Sequence, residues 1–138
     1  MRPGGILAFQ EYDLSTWVPG WPEHPLNARL MSLFVELLPR ITHANAGSRL
    51  HHWYREIGFP SPLLLGNVLA DGAEDSVYYE WAAESLRPVL PLAEQMGLAK
   101  PGEFDLDRLA QDLREYAVAH KTTACGLIMI GAHARKPE

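Results

Sequence analysis

Residues 125–132, Cys-Gly-Leu-Ile-Met-Ile-Gly-Ala, are apolar throughout and do not alternate with polar positions. A strand wet on one face alternates; a strand covered on both faces has no reason to. The stretch 124–133 is therefore expected to be a central strand. Two other segments read as strands. Residues 6–10 hold the apolar run Ile6-Leu7-Ala8-Phe9, with a Pro3-Gly4-Gly5 turn before it and polar residues after it. Residues 62–70 hold Leu63-Leu64-Leu65 and Val68-Leu69, interrupted by Gly66 and stopped by the Asp71-Gly72 turn.

Helices are expected between them. In 26–38, Leu26, Leu30, Leu33, Phe34, Leu37 and Leu38 share one face, while Asn27, Arg29, Ser32 and Glu36 fall mainly elsewhere. Pro25 suits a first helical position and Pro39 stops the helix. In 45–57, Leu50, Trp53, Tyr54 and Ile57 form the apolar face, and Gly58 follows as a C′ residue. A helix over 76–97, capped by Asp75 or Ser76, is expected to break near Arg87, because Pro88 and Pro91 lie inside it. Asp105 can cap a last helix, 105–120, that buries Leu106, Leu109, Leu113 and Tyr116. Residues 15–25, rich in proline and glycine with two tryptophans, read as a loop. The order is an α/β layout with three strands, fewer than the usual five or six or so.

The 138 residues fit a single domain, 1–138. Hydrophobic residues make up 47% and charged residues 21%, an ordinary globular balance. The net charge is −5, and eleven acidic residues against four basic ones lie between Asp71 and Glu115. Without a basic cluster to neutralise phosphates, nucleic acid is not an expected partner. No apolar run reaches the roughly 18 residues of a membrane span, and no signal peptide is read at the start. The single Cys125 excludes an internal disulfide and points to a reducing cytoplasm.

The run Arg2-Pro3-Gly4-Gly5, then Ile6–Phe9, then Glu11 and Asp13, resembles the fifth strand of class I S-adenosylmethionine-dependent methyltransferases. There a Pro-Gly-Gly turn leads into an apolar strand with an acidic end. Met1 stands where the family commonly has Leu. "NAGSRLHHWYREIGF" (residues 45–59) is similar to the family's next helix. Residues 81–117 resemble the helical insertion of bacterial members, and "GLIMIGAHARKP" (126–137) their last strand. The resemblance covers nearly the whole chain in the right order. It implies a partial Rossmann-like fold, with a three-stranded mixed sheet whose last strand is central and antiparallel. It also implies that the first four strands, which carry the cofactor loop and the ribose-binding acid, are not in these residues. No cofactor-binding residue is carried over, and S-adenosylmethionine is not expected to bind well to this chain alone. The edge of strand 6–10 is expected to be bare, and part of the sheet to lack its covering helix. A homodimer, or a partner chain on that edge, follows as an expectation.

Glu11, Tyr12 and Asp13 stand at the carboxyl end of the first strand, where open α/β sheets bind ligands. By the resemblance they face the methyl acceptor; otherwise they are solvated or cap a helix. Trp17 and Trp21, with Pro19 and Pro22, can form an apolar lid over a small organic acceptor, or a loop packed on the core. Tyr78 and Trp81 share a helical face: both belong to the core, or one lines the pocket. His51 and His52 are adjacent and point about 100° apart on a helix, so they do not share an ion easily. His43, His120 and His133 are scattered. Metal is not expected, Cys125 is read as a small buried hydrophobe, and no catalytic residue is singled out. The expected activity is methyl transfer to a small organic molecule, incomplete in this chain. The alternative is a non-catalytic module that dimerises or binds a partner.

Overall fold

The computed structural model describes residues 1–137. Its sheet has three strands, β1 (Ile6–Trp17), β2 (Leu63–Asp71) and β3 (Ala124–Arg135), in the order β1-β3-β2. β3 pairs antiparallel with both neighbours, so β1 and β2 run parallel to each other. The register sets Phe9 opposite Ala132, Glu11 opposite Ile130 and Leu65 opposite Gly131. The all-apolar segment is central, as its lack of alternation required.

The helices are α1 (Pro25–Leu37), α2 (Ala46–Glu56), α3 (Tyr78–Leu86), α4 (Leu90–Gln95) and α5 (Leu109–His120). A 3-10 turn, Leu38–Arg40, follows α1 at Pro39. The helix expected over 76–97 is two helices. It breaks between Arg87 and Val89, where Pro88 has no amide to donate. Ser76 Oγ accepts the Tyr78 amide at 3.2 Å at the start of α3. Regular helix begins at Leu109 rather than at residue 105, because Asp105 accepts the amides of Asp107 and Leu109 in a preceding turn. β1 is the larger correction. It continues through residues expected to be loop and pairs again with β3 at Trp17–Leu127, beyond a bulge. Gly58 takes a left-handed φ of 83° and ends α2.

Strand alternation gives the sheet two different faces. Phe9 and Glu11 lie under α2, where Leu50 and Tyr54 bury Ala132 and Ala134. The Tyr54 hydroxyl donates to the carbonyls of Leu7 or Ala132. Tyr12 and Leu127 lie on the opposite face, beneath the main core. There Leu30, Met31, Leu33, Phe34 and Leu37 of α1 meet Tyr79, Ala82 and Leu86 of α3 and Leu113 of α5. This helical layer covers only the carboxyl end of β1. Toward its amino end the sheet is open: Ile6 is 57% and Leu65 64% exposed, with Leu63 also in solvent, while on the α2 face Phe9 is half-exposed. The first half of β3 is thus covered on both faces, while His133 and Arg135 are exposed.

Asn27, assigned by helical periodicity to the polar side of α1, is buried. Its amide group donates to Cys125 O at 3.0 Å, and its Oδ1 accepts the Tyr78 hydroxyl at 2.5 Å. A satisfied amide is tolerated in a core where an unpaired one is not. Ile57, assigned to the apolar face of α2, is exposed.

Candidate functional site

The carboxyl end of β1 holds most of the candidate residues, and the alternation of the strand divides them. Asp13 points toward α2. It accepts the Ser15 amide at 3.0 Å and the Ser15 hydroxyl, and the Ser48 side chain stands against it. Burial opposes its charge, but these hydrogen bonds outweigh burial and hold the carboxyl below its usual value. Beside it the Leu14 amide donates to Ala44 O at 2.5 Å. A carboxylate so occupied ties β1 to the start of α2 and is poorly placed to take a proton. Glu11 is exposed on the same face. It edges a groove of about 160 Å3 with Phe9, Leu50, Trp53 and Ile57.

Tyr12 faces the other way, 6.4 Å ring to ring from Trp81. Together with Leu14, Phe34, Ser85 and Leu127 these rings enclose about 80 Å3. That is small beside the roughly 300–1,000 Å3 of ligand pockets. Tyr78 does not reach this recess. It is completely buried, its hydroxyl between Asn27 Oδ1 and Cys125 O, and burial pushes its phenol well up. Of the two aromatics sharing that face of α3, Trp81 lines the recess and Tyr78 belongs to the core.

The larger opening lies where β1 runs into α1. Trp17, Pro19, Gly20, Trp21, Glu23 and Ala28 line a cleft of about 480 Å3. Its backbone is anchored against the start of β3. The Thr123 amide donates to Trp21 O at 3.4 Å, and the Thr122 hydroxyl donates to Pro22 O. A Cβ on Gly20 would sit 1.6 Å from Thr123 O, so only glycine permits this approach. Trp17 is half-buried, whereas Trp21 is 84% exposed.

His24 went unremarked in the sequence. It is buried at the N-cap of α1, with Nδ1 accepting the Asn27 amide at 3.3 Å and Nε2 donating to Leu113 O at 2.9 Å. Its ring lies 4.4 Å from that of Tyr116, which stacks at 3.9 Å on His120. Burial lowers its pKa, although the Leu113 carbonyl opposes this. Caps are ordinarily Ser, Thr, Asp or Asn, so a histidine before Pro25 carries no cap signal. The remaining histidines, 43, 51, 52, 120 and 133, are exposed. Among the described residues no three His, Cys, Asp or Glu side chains come together as metal ligands. Cys125 is buried, and burial pushes its thiol up, against a nucleophilic role. Among the described residues no helix is long and apolar enough to cross a membrane.

Among the described residues no glycine-rich loop lies open between a strand and a helix, the context that a nucleotide-type cofactor loop requires. Gly4 and Gly5 lie at the amino end of β1, where the Gly4 amide donates to Lys136 O at 3.0 Å and Gly4 O accepts from Arg135. Gly20 and Gly72 do follow strands, but both are spent on close approach to residues 122–123; a Cβ on Gly72 would meet Thr122 O at 2.6 Å. No protein-family model matches the chain, and no curated protein matches it.

Proposed function

We propose that this chain is the acceptor-side part of a class I S-adenosylmethionine-dependent methyltransferase fold, serving a small organic acceptor. The observation that carries the reading is the position of β3. It runs antiparallel between two strands that are parallel to each other, the arrangement that the resemblance of residues 2–13 and 126–137 implies. On this reading the cofactor is held by residues outside this chain's three strands. The chain's own residues bind and orient the acceptor. Trp17 and Trp21 supply the aromatic walls of the cleft beyond β1, and Tyr12 with Trp81 an apolar recess behind it. The single, buried Cys125 supports a reducing compartment such as the cytoplasm.

The test is to read the DNA upstream of the Met1 codon. We expect it to encode, in frame or in an adjoining gene, a strand, a glycine-rich loop and a helix, then a strand ending in an acidic residue. Upstream DNA with no such segment overturns the reading.

The bare outer edge of β1 and the open apolar end of the sheet favour a second reading, a module that dimerises or docks a partner. Sedimentation across a wide concentration range separates the two. A stable dimer whose gene has no such segment upstream supports the module; a monomer at micromolar concentration counts against it.

A further inference from the structure

We propose that the Trp17–Trp21 cleft binds a small organic cation, an ammonium group bearing methyl or alkyl substituents. Calling that cation the methyl acceptor rests on the reading above; the cation site itself does not.

Three observations converge. The cleft, about 480 Å3, has the volume of a small-molecule site. Among the described residues the only ionisable one lining it is Glu23, which is exposed, so the wall charge they give is negative. Its aromatic walls are indoles, the side chains whose faces attract cations most strongly. The loop's construction strengthens the case. Its backbone is pinned to Thr122 and Thr123 and packed through Gly20, yet the Trp21 ring is 84% exposed. Folding alone would favour burying so large an apolar ring. The anchored backbone holds the ring at the mouth of the cleft, where a ligand can cover it. Indole faces with a carboxylate suit a soft, weakly hydrated cation. They disfavour an anion, and they offer a neutral isostere only its apolar contact.

Choline and its uncharged isostere, 3,3-dimethylbutan-1-ol, are the probes. The intact chain, labelled with 15N, is titrated with each while the indole N–H resonances of its four tryptophans are followed. Choline is expected to shift the Trp17 and Trp21 signals saturably, about tenfold more tightly than the alcohol. Trp21→Ala and Glu23→Gln should each weaken choline binding several-fold. Both side chains are exposed, and unchanged Trp53 and Trp81 signals report an intact fold. Equal affinity for the alcohol, no shift with choline, or unaltered binding in both variants overturns the proposal. Should a variant fold poorly, the comparison of the two probes on the unaltered chain still decides. No methyl donor is present in this titration. Its failure removes the cation and leaves the methyl-transfer reading to the upstream DNA; failure there leaves the cation site standing.

Discussion

At the scale of single residues, the buried polar cluster is more informative than the candidate acids. Tyr78 and Asn27 each complete the other's hydrogen bonding next to Cys125 O. Tyr78→Phe leaves Asn27 Oδ1 without a donor in the core, at a cost of about 1–3 kcal/mol. Urea unfolding should show this as a lower midpoint at unchanged slope, with choline binding untouched. His24 gives the fold a pH dependence. Burial lowers its pKa from the ordinary 6.5, so the unfolded chain binds a proton that the native chain resists. Stability is therefore full above about 6.5 and falls as pH drops from there toward the folded value. Asp13 acts in a separate window, because its loss on acidification begins only below about 3.8. Urea midpoints near pH 7.5 and pH 5 should differ clearly in the parent. In His24→Asn, which keeps a capping side chain, the difference should shrink. An equal slope in both would remove His24 as its source. The burial of Tyr78 and Cys125 was legible in the sequence, but the burial of Asn27 and His24 and their hydrogen bonds were not. Asn27 sits off the apolar stripe of α1, and its partners lie 51 and 98 residues away.

At the scale of elements, what could be read was whatever local pattern determines. The unbroken apolar run of β3, the stripe of α1 and the proline break between α3 and α4 needed no distant partner. The length of β1 did. Asp13 and Ser15 look like the end of a strand, yet pairing resumes at Trp17 because Leu127 lies opposite it. The helical start at Leu109 was hidden for a similar reason, since Asp105 holds a turn before it. The site candidates failed to converge because the alternation that faces Tyr12 to Trp81 faces Glu11 and Asp13 to α2. That helix docks through Gly47, where a Cβ would stand 2.8 Å from Glu11 O and 3.1 Å from Ile130 Cβ. Gly47→Ala should push α2 off the sheet and cost about 1–3 kcal/mol, despite alanine's better helix propensity. A stabilised variant in thermal unfolding would show that the contact relaxes freely.

At the scale of the whole molecule, the two ends of the sheet contrast. One lies beneath the helical layer; the other exposes Ile6, Leu63 and Leu65 around His133 and Arg135. Such a patch beside an unpaired edge favours association. Ile6→Lys combined with Leu65→Lys should lower the sedimenting mass at high concentration and leave the unfolding midpoint nearly unchanged, since neither side chain is in the core. An unaltered mass would place the contact elsewhere. The central strand has one more consequence. β3 follows both of its partners in sequence, and its ladder joins residue 6 to residue 135. During synthesis both outer strands must therefore wait on the ribosome without their shared mate, greasy and adhesive, until residues 124–135 have been translated. Nascent chains should lean on holdase chaperones, and a ribosomal pause between residues 71 and 124 should cost more yield than one before residue 63.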